Sequence, residues 1–191
     1  VWTLAADGQG GLYAGGAFTS AGGQPAAHIA RWDGDSWSSL GSGTDGNVYA
    51  MAVATDGTLY AAGDFANAGG VAAGMVARWS GTDWAPLGDG VEGMAVSALT
   101  LDGHGNLYAA GAFTHAGGAP AANVARWDGR DWHPLAAGTS DFVNALAFDP
   151  GRRELMVGGF FNYAGSIDSR FFAVWRAGST PSAAPDPRPD A

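Results

Sequence analysis

Apolar residues along this chain alternate with small or polar residues in short runs, and one such run recurs four times. It reads Leu-Tyr-Ala-Gly-Gly-Ala-Phe at its first occurrence, and successive copies begin 47, 48 and 48 residues apart. Alternation with a period of two predicts β-strands, and no window sustains the 3.6-residue period of a helix. We therefore expect an all-β chain with almost no helix, in which the second strand of each repeat lies within 12–18, 59–65, 107–113 and 155–161.

Two further series keep the same spacing. One is Ala-Arg-Trp-Asp-Gly, which degrades to Ala-Val-Trp-Arg-Ala in the last copy, and the other is Trp-x-x-Leu, which the last copy lacks. With an apolar strand in front, at 48–53, 96–101 and 143–148, these series predict four strands per repeat, and Asp-Gly or Ser-Gly predicts the hairpin turn between strands three and four. The recurring indoles are Trp32, Trp37, Trp79, Trp84, Trp127, Trp132 and Trp175.

A four-stranded repeat of about 47–48 residues favours the blade of a β-propeller over the shorter coil of a solenoid. We expect one domain over 1–177, with repeats at about 1–47, 48–95, 96–142 and 143–177. Each blade has two apolar faces, so the repeated Trp and Phe should fill the space between blades. The four blades either close alone, belong to a larger propeller, or pair with a second chain to complete the ring. The glycines assigned to this scaffold are Gly15, Gly16, Gly63, Gly111, Gly158 and Gly159.

The composition changes after the last recurring Trp. Segment 178–191 holds four Pro and almost no bulky apolar residue. Such a composition cannot bury enough apolar surface to order itself, so we predict a disordered or extended tail or linker there, and no fourth strand for the last repeat.

Charge and residue usage exclude several classes of function. The net charge is −9, so a nucleic-acid partner, which requires a basic patch, is not expected. No apolar run approaches the ~18 residues of a membrane span, so no membrane insertion is predicted. The chain has no Cys, which removes disulfides, thiolate metal sites and Cys nucleophiles.

The order of motifs resembles the kelch repeat, with Gly15-Gly16 at the place of the kelch diglycine, Trp32-Asp33 at its aromatic–Asp turn and Trp37 in its fourth strand. The chain is more closely similar to bacterial kelch-like repeats of the galactose oxidase central-domain type, and to the repeats of cortical cell-polarity marker proteins. The resemblance covers about 1–177. It implies an extracellular or cell-surface protein with a binding or structural role. The copper radical chemistry of galactose oxidase needs a Tyr–Cys crosslink, which a chain without Cys cannot form.

Residues that differ between copies are better site candidates than residues that repeat, because a single site breaks the symmetry of a ring. The Tyr13 and Arg31 series recur, so we assign them a structural role, with the Arg side chains paired to turn carboxylates such as Asp33 and Asp128 or stacked on Trp. The stretch between strands two and three is interpreted as a variable loop that forms a binding surface. Its candidate binding residues are Gln24, His28, Met75, His115, Asn123, Tyr163 and Asp168.

No catalytic or metal motif stands out. The four His share no ligand spacing, the segment 102–106 lacks most of a calcium loop, and there is no Gly-x-Ser-x-Gly elbow. We expect no metal, no cofactor and a non-enzymatic module that engages protein or glycan through propeller loops. The alternatives are a hydrolase or lyase acting on carbohydrate with a carboxylate pair from Asp141, Asp149, Glu154 and Asp168, or a purely architectural spacer.

Overall fold

The structure, a computed structural model, describes residues 1–176 and the backbone of the two-residue strand Ser182–Ala183. Every regular element in this part of the chain is a β-strand, as the alternation predicts. The first-strand prediction 48–53 matches the observed Val48–Val53, whereas the third repeat has a longer strand, Val91–Leu101, than the predicted 96–101. Among the described residues, there is no helix long and apolar enough to cross a membrane.

The strands follow the repeat. The first repeat contains β1 (Thr3–Ala6), β2 (Leu12–Gly15), β3 (Ser20–Ala21), β4 (Gln24–Pro25), β5 (Ile29–Trp32) and β6 (Trp37–Ser39). The second contains β7 (Val48–Val53), β8 (Leu59–Gly63), β9 (Asn67–Ala68), β10 (Val71–Ala72), β11 (Val76–Trp79) and β12 (Trp84–Pro86). The third contains β13 (Val91–Leu101), β14 (Leu107–Ala116), β15 (Ala119–Pro120), β16 (Val124–Trp127) and β17 (Trp132–Pro134). The fourth contains β18 (Val143–Asp149), β19 (Glu154–Gly159), β20 (Tyr163–Ala164), β21 (Ile167–Asp168), β22 (Phe172–Arg176) and β23 (Ser182–Ala183).

Each repeat builds one antiparallel sheet, in which strands lie in the order of the chain. We number the sheets 1 to 4: β1-β2-β5-β6, β7-β8-β11-β12, β13-β14-β16-β17 and β18-β19-β22-β23. The first strands of successive sheets contact each other in series, β1 with β7, β7 with β13 and β13 with β18. The fourth strands therefore lie at the opposite, outer edge of each sheet.

The stretch between strands two and three is a small hairpin rather than the variable loop predicted from the sequence. β3 pairs with β4, β9 with β10, β20 with β21, and the extended end of β14 with β15. The second diglycine of the repeat forms the turn, with φ of +57° at Gly22 and +78° at Gly23. Two residues with left-handed φ are what a tight two-residue hairpin requires, and glycine adopts that conformation without steric cost.

The fourth repeat has the final strand that its sequence does not predict. Ser182 pairs with Val174 and Ala183 with Ala173. The ladder uses backbone groups only, so it forms without the Trp-x-x-Leu side chains that mark the outer strand elsewhere. These two residues fall within the predicted tail 178–191, and the remainder of that prediction lies outside the described residues.

Each sheet has two distinct faces, because successive residues of a strand point to opposite sides. We call the side that carries the third-strand indole the Trp face; it holds Trp32, Trp79, Trp127 and Trp175 in sheets 1 to 4. The opposite side, the Tyr face, carries Tyr13, Tyr60 and Tyr108 in sheets 1 to 3 and Met156 in sheet 4.

Three hydrophobic cores fill the spaces between consecutive sheets, and each joins the Tyr face of one sheet to the Trp face of the next. The first core packs Tyr13 and Ile29 of sheet 1 with Trp79 of sheet 2. The other two repeat the arrangement with Val76 and Trp127, and with Val124 and Trp175. The prediction that Trp and Phe fill the space between repeats is confirmed for these interfaces.

Among the described residues, the two end sheets have one face each that no other sheet covers. On the Trp face of sheet 1, Leu4 is 59% exposed, whereas Met51 at the same position of sheet 2 is 9% exposed. On the Tyr face of sheet 4, Phe172 is 40% exposed, whereas Val76 and Val124 are fully buried in their cores. The open faces are thus one Trp face and one Tyr face, the same two kinds that meet inside the chain.

Candidate functional site

Side chains from different repeats come together where the first strands lie side by side. Three of these strands share a one-residue irregularity in register at an equivalent position, where the extra residue is Tyr49, Ser97 or Asn144, and β13 has further shifts between Glu92 and Ala95. Bulges redirect side chains and are frequent beside functional sites. The side chain at this position differs in every repeat, and in sheet 1 Trp2 stands there.

Trp2 and Tyr49 form an aromatic pair that bridges sheets 1 and 2. Their ring centroids are 5.0 Å apart and their planes are inclined by 24°, a stacked arrangement. Trp2 is 55% exposed, so much of this platform faces solvent. Because both side chains combine an apolar ring with a polar tip, an exposed pair is suited to ligand contact.

A carboxylate and an amide extend this platform. The Asp64 carboxylate accepts hydrogen bonds from the backbone N–H of Asn47 at 2.6 Å, from Asn47 Nδ2 at 2.9 Å and from the Tyr49 hydroxyl at 2.6 Å. A carboxylate offers about four acceptor positions, so about one remains on this exposed side chain. We refer to Trp2, Asn47, Tyr49 and Asp64 as the Trp2–Asp64 cluster.

The electrostatics of the cluster keep Asp64 ionised and Tyr49 protonated. Partial burial acts to raise the pKa of Asp64, but the hydrogen bonds from Tyr49 and Asn47 outweigh it, so the pKa lies below its ordinary value. The hydrogen bond to Asp64, with burial as the second cause, raises the pKa of Tyr49. At neutral pH the cluster therefore presents an anionic acceptor beside neutral donors and aromatic rings.

The cluster occurs only once among the described repeats, where sheets 1 and 2 adjoin. Ala17, Ala112 and Phe160 occupy the Asp64 position in the other repeats. In the fourth repeat, Phe142 and Phe160 take the places of Asn47 and Asp64, and their ring centroids are 4.9 Å apart. Both rings are exposed, so the end of the sheets that carries the cluster also carries a second, apolar aromatic pair.

Three of the sequence-predicted binding residues occupy one constrained backbone position. His28, Met75 and Asn123 have φ of 65°, 67° and 66°, and Phe171 at the same position of the fourth repeat has φ of 67°. The backbone N–H of each donates to the carbonyl of the Phe that follows strand two, for example Met75 to Phe65 at 2.9 Å. The backbone geometry at this position therefore serves the scaffold in all four repeats.

The other predicted binding residues lie on the small hairpins. Gln24, His115, Tyr163 and Asp168 belong to β4, β14, β20 and β21, and only Tyr163 and Asp168 face each other, across one hairpin. The hairpins contact the outer strands of their own sheets. The structure thus spreads these residues along the outer edges, one hairpin per repeat, and does not gather them at the Trp2–Asp64 cluster.

One of the repeated Arg residues pairs with a turn carboxylate as predicted, but not with either of the two carboxylates named as examples. Arg31 pairs with Asp7, in the turn between strands one and two, at 2.5 Å, and its guanidinium carbon lies 5.9 Å from the Tyr13 ring centroid rather than over a Trp. Asp33 and Asp128 instead accept backbone N–H groups of their own hairpin turns. Within the described residues, Arg78 and Arg126 form no ion pair.

Two of the four carboxylates considered for catalysis lie opposite each other, since Asp149 and Glu154 are partners in the β18–β19 ladder. Glu154 pairs with Arg176 at 2.8 Å, Asp149 lies 3.9 Å from Arg152, and Asp168 on β21 lies 3.7 Å from Arg170. Asp141 precedes β18. No group of three His, Asp or Glu residues in the described part of the chain has the proximity to hold a metal ion.

No protein-family model matches the chain, and no curated protein matches it significantly. The kelch resemblance therefore stands on the residue pattern, and the case for function stands on the geometry described above.

Sequence reasoning missed the Trp2–Asp64 cluster although its signal was present. Copy-to-copy differences were sought in the loops, but the first-strand position occupied by Trp2, Tyr49, Ser97 and Asn144 varies just as strongly. What the sequence does not reveal is that these strands lie next to one another, because that proximity arises from the stacking of sheets.

Proposed function

We propose that the four sheets are blades of a kelch-like β-propeller and that the chain is a non-catalytic binding module. The blade interpretation is supported by one interface repeated three times, Tyr face on Trp face, and by first strands that adjoin in series. Propellers place the first strand of each blade nearest the central axis and often bind ligands at one end of it. An extracellular or cell-surface setting agrees with the resemblance and remains part of the proposal.

The open faces support closure of the ring by a second copy of this chain. The uncovered Trp face of sheet 1 is of the kind that the Tyr face of a preceding sheet covers, and sheet 4 presents an uncovered Tyr face. Two chains joined head to tail through two such contacts would form a ring of eight sheets, within the range of known propellers. The same contact would be made with a further blade in a longer chain.

The Trp2–Asp64 cluster carries the functional proposal, and a glycan is the ligand that its chemistry fits best. Sugar hydroxyls form hydrogen bonds with carboxylates and amides, and the C–H face of a sugar ring packs on an exposed aromatic ring. The cluster offers both where sheets 1 and 2 adjoin: the Trp2–Tyr49 stack at 5.0 Å and the Asp64 carboxylate bonded to Asn47 and Tyr49.

The test is a glycan-array screen of the full chain, followed by titration of any glycan that binds. We expect Trp2→Ala and Asp64→Ala each to weaken binding at least tenfold, since truncating a central contact residue commonly has an effect of that size. Asp56→Ala, in a turn of the same repeat away from the cluster, is the matched control and should bind as the wild type does. Unchanged glycan binding in both cluster variants would show that the cluster is not the glycan site. Binding of a protein but of no glycan would overturn the choice of a glycan as the ligand.

A further inference from the structure

A buried indole closes the outer part of two of the three sheet interfaces. Trp84 Nε1 donates to the carbonyl of Leu40 at 2.8 Å, and Trp132 Nε1 donates to the carbonyl of Leu87 at 2.8 Å. Each indole belongs to the fourth strand of one sheet and reaches the end of the fourth strand of the preceding sheet. The donor and acceptor are thereby both satisfied inside the interface.

The interface between sheets 3 and 4 lacks this indole. β23 pairs with β22 as β17 pairs with β16, so Ser182 occupies the place of His133. In the sequence, Trp132 precedes His133, whereas Pro181 precedes Ser182. Leu135 is the counterpart of Leu87, and its carbonyl accepts only the Gly138 N–H, at 2.9 Å, among the described residues.

A pocket of about 300 Å³ lies at this interface. Its walls are formed by Tyr108, Arg126 and Leu135 from sheet 3, and by Phe148, Leu155 and Trp175 from sheet 4. This volume is at the lower end of the range for small-molecule sites, and the lining is mostly apolar and aromatic, as in such sites.

Two polar features of the pocket define what it would accept. Trp175 is 4% exposed and its Nε1–H is buried with no hydrogen-bond partner in the described structure, although a buried donor normally has one. Arg126 and His133 also line the pocket, and none of the described lining residues is acidic, in a chain of net charge −9. The Trp175 indole thus places a buried, unpaired N–H beside the pocket, and the Arg126 guanidinium lies on its wall without an ion pair among the described residues, whereas His133 and Arg176 are already paired with Asp128 and Glu154.

We propose that this pocket binds a small planar aromatic carboxylate with a ring N–H, seated as Trp84 and Trp132 are seated in the other two interfaces. The ring packs between Tyr108 and Trp175, the ligand N–H donates to the Leu135 carbonyl, and the carboxylate lies toward Arg126. An acceptor atom of the ligand takes the Trp175 Nε1–H. The site is separate from the Trp2–Asp64 cluster and does not depend on the function proposed for it.

The test is calorimetric titration of the full chain with indole-3-carboxylate, supported by saturation-transfer NMR. We expect a dissociation constant on the order of 1 mM or tighter, as small ligands of this size allow. Indole, which lacks the carboxylate, and 2-naphthoate, which lacks the N–H, should each bind several-fold more weakly. No detectable binding of indole-3-carboxylate up to its solubility limit, or equal binding of all three probes, would overturn the proposal.

Paired variants locate the binding. Arg126→Ala should remove the preference for indole-3-carboxylate over indole, whereas Arg78→Ala, at the same position of sheet 2, should not. Trp175→Phe keeps an aromatic ring but loses the N–H, and should weaken binding relative to the equivalent Trp127→Phe in sheet 3.

Trp2→Ala should leave binding unchanged; loss of binding in that variant would place the ligand at the Trp2–Asp64 cluster and contradict the assignment. Thermal unfolding of each variant shows whether it is folded, and Arg126→Ala tests the site even if Trp175→Phe does not fold.

Discussion

At the scale of single residues, one position of the repeat has the same backbone constraint in all four copies. The position of His28, Met75, Asn123 and Phe171 requires a left-handed backbone in every repeat, yet no repeat uses Gly there. Left-handed φ costs an ordinary L-residue roughly 1–2 kcal/mol, and Asn tolerates it best. Asn123 also donates Nδ2–H to the Thr139 carbonyl at 3.0 Å and accepts the Phe113 N–H at 3.2 Å, which explains why Asn suits this site.

Replacing Asn123 separates the backbone effect from the side-chain effect. Asn123→Gly loses the hydrogen bonds but keeps access to positive φ, whereas Asn123→Ala loses both. We expect Asn123→Ala to be less stable than Asn123→Gly by roughly 1 kcal/mol in urea unfolding. Equal stabilities, or a less stable Gly variant, would show that the left-handed backbone is not a strain at this position.

The turn carboxylates predict a loss of stability in acid. The Ser36 backbone N–H, followed by that of Asp35, lowers the pKa of Asp33, and the Asp131 N–H, followed by the Arg130 N–H and His133, lowers that of Asp128. A carboxyl whose pKa is lower folded than unfolded, where it is about 3.9, stabilises the fold fully above that value and progressively less as pH falls through the folded pKa. The free energy of unfolding should therefore decline below about pH 4. Asp128→Asn should decline less steeply in the same pH titration, and an unchanged slope would contradict this assignment.

At the scale of elements, the small hairpins support the indoles of the outer strands. A Cβ on Gly69 would lie 2.7 Å from Trp84 Cδ1, whereas a Cβ on the adjacent Gly70 would meet nothing within 4 Å. Both glycines have positive φ, +60° and +82°, so any other residue would be strained in its backbone conformation at either position. The hairpin therefore packs directly on Trp84 through Gly69.

This pair offers a matched test of that packing. Gly69→Ala and Gly70→Ala share the conformational strain, but only Gly69→Ala forces the methyl group into the indole. We expect Gly69→Ala to be destabilised by about 1–3 kcal/mol more than Gly70→Ala, the usual cost of overpacking, in chemical unfolding. Similar stabilities for the two variants would mean that the hairpin does not hold Trp84 in place.

The elements also show what the sequence can and cannot predict. The long strands were predictable because alternation and a 47–48-residue repeat mark them directly, as at Val48–Val53. Apart from the extended end of β14, the hairpin strands and Ser182–Ala183 have two residues each, too few to show a period, so only backbone pairing reveals them. Arg31 was assigned the wrong carboxylate because Asp33 is near in sequence, whereas Asp7 is near across the sheet.

At the scale of the whole molecule, one contact explains the arrangement of all four sheets. The Tyr face of each sheet covers the Trp face of the next, and among the described residues sheets 1 and 4 each keep one face that no other sheet covers. Exposed apolar surface of this sort, with Leu4 on one face and Phe172 on the other, favours association. Because the two faces are complementary rather than identical, head-to-tail pairing is the association they support.

The most direct measurement of this account is the mass of the chain in solution by size-exclusion chromatography with light scattering. We expect twice the mass of one chain at micromolar concentration, and a single-chain mass for Leu4→Glu, which places a charge on the open Trp face. Gln9→Glu adds the same charge in an exposed turn and should remain paired. A wild-type chain that is monomeric at every accessible concentration, or a Leu4→Glu variant that pairs as the wild type does, would contradict the proposal that these open faces are two halves of one interface.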